Sequence, residues 1–268
     1  LKSMDINIPV ITTLHGTDIT LVGKDPSCKP VINYSINKSD GVTAVSNSLK
    51  EETINLFSIT NNINVIPNFI DIEKYSKVKR NPYRSKLCPK GERLLIHTSN
   101  FRKVKRIQDV INVFCKINKE IPSKLIMIGD GPERANIESL TRSLCSLRDV
   151  MFIGKIPDVE TVLYKADLFL LTSEKESFGL SALEAMASSV PVISSNAGGL
   201  PELVEEGISG FTCDIGDVNS MSEKAIKVLD KKNLSGFKEN ALRIANNYDI
   251  NIILPKYVEF YKNILNKG

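Results

Sequence analysis

The residues with the clearest capacity for chemistry are two glutamates, Glu176 and Glu184, set on either side of a junction between an apolar run and a helical stretch. Leu168-Phe169-Leu170-Leu171 reads as a buried strand and 180–188 as a helix. Phe178-Gly179-Leu180 lies at the turn between them. A helix N-terminus offers unpaired N–H groups and the positive end of the helix dipole, which suit a phosphate or a polar sugar. Gly179 lets the backbone approach a ligand with no Cβ in the way. Glu184 falls inside the helix beside Leu180, Leu183 and Ala187. A carboxylate on such an apolar face is costly unless paired. Sugar or ribose hydroxyls suit it, because an ionised carboxylate only accepts hydrogen bonds. The plainer alternative, an acidic residue in the first turn of a surface helix, is the reading preferred for Glu174.

A second candidate is Ser99-Asn100-Phe101-Arg102-Lys103-Val104-Lys105-Arg106, which follows the apolar run 94–97 and precedes a helix. Basic residues at the end of a parallel strand sit where α/β sheets bind ligands, and a diphosphate needs such charge. Lys105 and Arg102 are the natural clamps; a solvated basic turn is the alternative. The third candidate is Thr13-Leu14-His15-Gly16-Thr17-Asp18, again after a strand, where His15 can hydrogen-bond a sugar hydroxyl or assist proton transfer. His97, inside a strand, reads as a core or supporting residue. Gly129-Asp130-Gly131-Pro132 and Gly198-Gly199-Leu200-Pro201 read as tight turns at strand ends with Pro near a helix start. Neither is a Walker loop or a dinucleotide fingerprint.

These motifs must be positioned by an alternation of short apolar runs and amphipathic stretches. Strands are expected at 10–14, 41–45, 64–66, 94–97, 124–128, 150–153, 168–171 and 191–194. Helices are expected at 50–57, 107–121, 133–145, 158–165, 180–188, 200–206 and 221–229. Continuous apolar strands alternating with helices predict an α/β doubly wound parallel sheet. The expected division is a partial N-terminal domain over 1–75, a basic, proline-containing linker over 76–91 and a C-terminal domain over 92–248. A final helix over 249–268 should pack across the domains through Leu254, Val258, Tyr261 and Leu265. The chain opens at Leu1 and enters a strand pattern at once, so the first domain is expected to lack an N-terminal portion.

The 268 residues are 42% hydrophobic and 25% charged, with a formal charge of +4. That excess is too small to argue for nucleic acid, but it suits an anionic ligand in a cleft. No apolar run reaches transmembrane length. The five cysteines, Cys28, Cys88, Cys115, Cys145 and Cys213, are scattered and form no C-x-x-C pair. They read as reduced thiols of a cytoplasmic protein, and no metal site is expected.

The motifs together resemble the family 4 retaining glycosyltransferases of the two-domain GT-B fold. The order runs His15-Gly16, Val45-Ser46, Val65-Ile66-Pro67-Asn68, the basic turn, Gly129-Asp130-Gly131-Pro132, Glu176…Glu184 and Gly198-Gly199-Leu200-Pro201-Glu202. The segment 12–23 and the basic turn resemble the branch of bacillithiol biosynthesis that transfers N-acetylglucosamine from UDP-N-acetylglucosamine (UDP-GlcNAc) to L-malate. The resemblance implies two Rossmann-like domains, the N-terminal one truncated here. It implies that Glu176 holds hydroxyls of the transferred sugar and that Glu184 binds the ribose. The amides of Phe178, Gly179 and Leu180 would contact sugar and diphosphate, with Ser99 and Asn100 beside them. Lys105 matches the phosphate lysine of the family. The arginine usual five positions earlier is replaced by Asn100, so Arg102 is expected to substitute. Gly154-Lys155-Ile156 matches the segment whose backbone reads the nucleobase. His15 and Gly16 match the motif facing the donor sugar, and Thr17 and Lys29 are expected to hold the malate carboxylates. No Asp-x-Asp cation motif is present, so no cofactor or essential metal is expected; nor is nucleic acid or stable membrane insertion, and a homo-oligomer is compatible. The competing readings are a family 4 enzyme with another acceptor and a non-catalytic nucleotide-sugar-binding fragment.

Overall fold

The computed structural model describes residues 8–20, 22–76, 83–144 and 148–266. The chain forms two compact units, Leu1–Phe69 with Tyr248–Gly268, and Ile70–Asn247. Cys145, residues 77–82 of the expected linker and the first seven residues lie outside the described residues.

In the first unit, strands β1 (Ile11–Leu14), β2 (Gly41–Ala44) and β3 (Ile63–Val65) pair in parallel in that order. The helix Asn47–Leu56 between β2 and β3 is capped by Ser46, whose Oγ accepts from Leu49 N at 3.1 Å. The helix Lys29–Lys38 between β1 and β2 was not expected from the sequence; its apolar residues are sparse, and only Ile36 is buried. The C-terminal helix Ile250–Leu265 belongs to this unit. Its buried side is turned from the expected one. Ile253 is buried, the Tyr257 hydroxyl donates to Ile66 O at 3.1 Å, and Phe260 and Ile264 pack over Gly41. Leu254, Val258, Tyr261 and Leu265, the expected packing stripe, are 42–62% exposed. Two adjacent apolar stripes run along this helix, and periodicity alone does not choose between them.

The second unit holds a six-stranded, wholly parallel sheet: β4 (Arg93–Thr98), β5 (Ser123–Ile128), β6 (Val150–Gly154), β7 (Leu168–Leu171), β8 (Val192–Ser195) and β9 (Gly210–Cys213). The spatial order is β6-β5-β4-β7-β8-β9. The chain builds outward from β4 to one side, then crosses to β7 and builds the other way. β7 and β8 are buried along their whole length, as strands covered on both faces must be. The helix Ile107–Glu120 lays Ile107, Val110, Ile111, Phe114 and Ile117 on the sheet. Strand β9 and the helix Leu234–Ala245 escaped the sequence reading. Gly-Phe-Thr-Cys is too short and mixed to stand out. It pairs only because Gly210 lets the backbone lie against Val192, where a Cβ would meet Val192 O at 1.9 Å.

Part of the expected linker is described. Tyr83–Leu87 is helical, and the Arg84 guanidinium bonds Lys165 O and the buried carboxylate of Asp167. Among the described residues Cys28, Cys88 and Cys213 are free thiols, as the cysteine reading expects. Among the described residues no helix is long and apolar enough to cross a membrane. Both units are of the α/β, Rossmann-like type that composes the GT-B fold.

Candidate active site

Strand order reverses between β4 and β7, and in open α/β sheets the crevice at the carboxyl ends of such a pair receives ligands. The two strongest motifs stand at its lips. The loop 99–106 leaves β4 and the loop 172–179 leaves β7. Backbone and side chains tie them together. Glu174 N donates to Val104 O at 2.8 Å, and the Thr172 hydroxyl donates to Lys105 O and Arg106 O at 3.1 and 2.9 Å. Lys105 Nζ lies 2.6 Å from Glu176 Oε1, which also accepts from Ser173 Oγ at 2.9 Å. The basic loop is bracketed by two non-glycine residues in left-handed conformation, Phe101 (φ 37°) and Arg106 (φ 46°). Such strain persists only where the surroundings impose it. Phe101 is fully buried against His97, and its carbonyl accepts from Glu133 N.

The four basic residues have different fates. Lys105 faces the crevice through its pair with Glu176. Arg102 and Lys103 are exposed. Arg106 is occupied structurally: its Nε donates to Asp109 at 2.6 Å, its Nη1 donates to Glu174 at 3.1 Å, and both carboxylates raise its pKa. Glu174 therefore has a bracing role.

His97 supports the site from below. Nδ1 lies 2.8 Å from Leu170 O and Nε2 2.8 Å from Ser99 Oγ, so the imidazole joins β4, β7 and the basic loop. Burial pushes its pKa down to about 4, with Lys105 adding to the effect against the Leu170 hydrogen bond. The ring is neutral at neutral pH. Asn100 is exposed.

The two glycine turns do more than turn the chain. A Cβ at Gly198 would lie 1.8 Å from Glu176 O, and one at Gly199 would lie 2.5 Å from Ser177 O. Gly199 N donates to Glu176 O at 3.0 Å. On the other lip, a Cβ at Gly129 would strike Ser99 O at 1.8 Å and one at Gly131 would strike Asn100 O at 2.2 Å. Each pair is a platform under one motif, and only residues without a Cβ fit. Sequence reasoning missed this because the contacts are with distant backbone.

Gly179 (φ 98°) is the N-cap of the helix Leu180–Ala187, and no side chain caps it. Phe178 is buried beneath this helix start and Leu180 is exposed above it. Glu184 sits one turn further on, where its Oε1 accepts from the Tyr75 hydroxyl at 3.2 Å. Burial raises its pKa against the Tyr75 hydrogen bond and Lys74, and Glu160 raises it further. Tyr75, Ser173 and Glu160 were not singled out in the sequence; Tyr75 adjoins the segment read as a linker. Ile156, half-buried, follows Gly154, whose carbonyl accepts from Gly129 N at 2.8 Å.

His15, Gly16, Thr17 and Lys29 belong to the first unit. Gly16 (φ 122°) is buried after β1, and its carbonyl accepts from Ile19 and Thr20 N. His15 and Thr17 are exposed on either side of it. Lys29 opens the helix Lys29–Lys38 with its ammonium 5.8 Å above the Phe57 ring. Among the described residues no group of three or more His, Cys, Asp or Glu is placed to hold a metal ion.

This arrangement has counterparts among known proteins. Residues 79–247 match the family described as glycosyl transferases group 1, and residues 1–74 match glycosyltransferase family 4. An N-acetyl-alpha-D-glucosaminyl L-malate synthase of Bacillus anthracis is 45% identical over 228 residues, covering 85% of this chain and 60% of that protein. A glycogen synthase of Mycobacterium tuberculosis is 28% identical, covering 84% of this chain and 55% of that protein. The chain thus spans somewhat over half the length of these relatives. Among solved structures, Anabaena HepE in complex with UDP and glucose superposes with a TM-score of 0.85 at 24% identity, over 97% of this chain and 73% of that one. Sucrose-phosphate synthase of Thermosynechococcus elongatus superposes with a TM-score of 0.84 at 20% identity, over 100% of this chain and 70% of that one. With the group 1 match spanning the whole crevice-bearing sheet, the chain belongs to the glycosyl transferases group 1 family and has the GT-B type of fold.

Proposed function

We propose that this protein is a retaining glycosyltransferase that moves N-acetylglucosamine from UDP-GlcNAc to the hydroxyl of L-malate, in the cytoplasm. The observation that carries the reading is the Lys105–Glu176 pair at the sheet's switch point, beside an uncapped helix start. It offers one cation for phosphate and one acceptor for sugar hydroxyls at adjacent positions. The 45% identity to the Bacillus anthracis L-malate synthase favours this sugar and acceptor within the family.

The malate hydroxyl oxygen attacks the anomeric carbon as the bond from that carbon to the UDP oxygen breaks. The hydroxyl proton passes to the departing phosphate on the same face of the sugar. Lys105, with Arg102 from the same basic loop, holds the charge developing on UDP. The amides of Phe178, Gly179 and Leu180 add the positive end of their helix. Glu176 orients the sugar and Glu184 the ribose, so that much of the acceleration is positioning. The backbone around Ile156 reads the base, and Ser99 and Asn100 line the phosphate side. His15 and Gly16 serve the donor sugar, and Thr17 and Lys29 the malate carboxylates.

The test is to incubate the purified chain with UDP-GlcNAc and L-malate and to follow UDP and glycosylated malate by mass spectrometry. Malate-dependent product is expected. UDP binding without product, for malate or any other dicarboxylate, would sink the assignment of acceptor and activity to this chain.

A further inference from the structure

The helix Ile72–Ser76 and the helix Glu160–Leu163 both pack against the helix that carries Glu184. Together they build a cluster that the motifs do not contain. The Tyr75 hydroxyl donates to Glu184 Oε1 at 3.2 Å, across 109 positions of sequence. Tyr75 is itself buried, at 7% exposure. Next to it Lys74 Nζ lies 3.2 Å from Glu160 Oε1. Glu160 is only 6% exposed, and its Oε2 has no hydrogen-bond partner among the described residues. A buried carboxylate oxygen left unpaired is expensive and calls for a compensating role.

Resting on the nucleotide-sugar reading above, we infer that Tyr75 is a positioning residue that aims the Glu184 carboxylate at the ribose diol, and that Glu160, buried on a helix packed against the one that carries Glu184, is a second residue acting on that carboxylate. The Glu184 side chain is half-buried and has several rotatable bonds. One hydrogen bond to Oε1 fixes the rotamer and leaves Oε2 and the remaining lone pairs of Oε1 for ribose hydroxyls. Burial, Glu184 and Glu160 all push the Tyr75 phenol above its ordinary range, so it is a donor at every working pH. Glu160, on the helix Glu160–Leu163 packed against the same helix, is a negative neighbour that favours the protonated form of Glu184. Lys74 offsets part of that charge. Of the other charged groups on the packed helices, Lys238 pairs with Asp167 and Arg243 with Glu205 on the helix Leu234–Ala245, while Glu239 there and Glu73 on the helix Ile72–Ser76 are exposed. Asp71 reaches Tyr75 but is not among the groups acting on Glu184.

The two neighbours have opposite effects on Glu184, and the experiment uses that opposition. UDP affinity of the full chain is measured by titration calorimetry between pH 4.5 and 8 for the wild type, Tyr75→Phe and Glu160→Gln. Tyr75→Phe removes a donor to a charged acceptor and should weaken UDP binding about tenfold at pH 7. The pH at which affinity falls on the acid side should move up in Tyr75→Phe and down in Glu160→Gln. With 2′,3′-dideoxy-UDP, which lacks the diol, the Tyr75→Phe penalty should vanish. A structural role for Tyr75 would weaken both ligands alike. Unchanged UDP affinity, or acid limbs that move in the same direction, overturns the inference while leaving the donor reading intact. Absence of UDP binding by the wild type overturns both. If Tyr75→Phe does not fold, as judged by its melting curve, the Glu160→Gln shift alone decides.

Discussion

Lys105 Nζ and Glu176 Oε1 lie 2.6 Å apart although 71 positions separate them in the chain. Their side chains are only 19% and 14% exposed. The two groups assigned to phosphate and to sugar thus neutralise each other when the crevice holds no ligand. Neither stands alone in a partly dry pocket, which would cost more than the pair does. A donor has to exchange this contact for its own phosphate and hydroxyls.

Replacing Lys105 with Ala should therefore remove the charge that meets the leaving diphosphate, lowering kcat/KM for the nucleotide sugar about 10²–10³-fold. Steady-state UDP release measures it. A loss of only a few-fold would show that Lys105 does not face the developing charge.

Gly198→Ala and Gly236→Ala should move stability in opposite directions. At Gly198 (φ 56°) the new Cβ would meet Glu176 O at 1.8 Å, so the 176–178 loop must shift and UDP binding should suffer with it. At Gly236, inside the helix Leu234–Ala245, nothing lies within 4 Å. Alanine there should stabilise by about 0.5–1 kcal/mol through helix propensity and reduced freedom of the unfolded chain. Thermal melts and UDP titrations of both variants check the pair; equal destabilisation would refute the platform role.

His97 should give the native state a mildly acidic weakness. The unfolded chain binds a proton below about pH 6.5, whereas the buried ring resists until about 4. Stability should fall as pH drops through that window, by about 2 kcal/mol at pH 5. Urea unfolding at pH 7.5 and pH 5 tests it. The loss should be smaller in His97→Gln, and an identical loss would assign the effect to other groups.

Asp167 should govern a more acidic window. Burial alone would raise its carboxyl, but Lys238, Arg84 and the Leu94 N–H outweigh that and hold it below the usual range. A depressed carboxyl contributes its stability above the unfolded value, and that contribution fades as pH falls below roughly 4. Asp167→Ala should cost about 3 kcal/mol, near the lower end for a buried ion pair because both cations are partly exposed. It should also flatten the unfolding profile below pH 4, and a variant as acid-sensitive as the wild type would contradict this.

Much of the architecture was readable because it depends on local composition. Apolar runs too continuous for a one-sided strand mark the β7–β8 region, and Gly179 before Leu180 marks a helix start near a phosphate-type site. Glu176 and Glu184 stood out because a carboxylate bracketing such a start needs a partner. Strand β9 stayed hidden, since a four-residue segment beginning with glycine has no periodicity of its own.

By itself, then, the sequence determined the alternating α/β order, the two lips of the crevice and the residue types available there, since hydrophobic period and turn chemistry are short-range properties. The tertiary structure decided which of those residues meet. It joined Lys105, already singled out in the sequence, to Glu176, gave Glu184 the Tyr75 hydroxyl, and seated the glycine pairs beneath backbone 20 or more positions away. It also selected one of two apolar stripes on the last helix. Each of these choices depends on packing and charge partners remote in the chain, and no local pattern encodes a contact between distant segments.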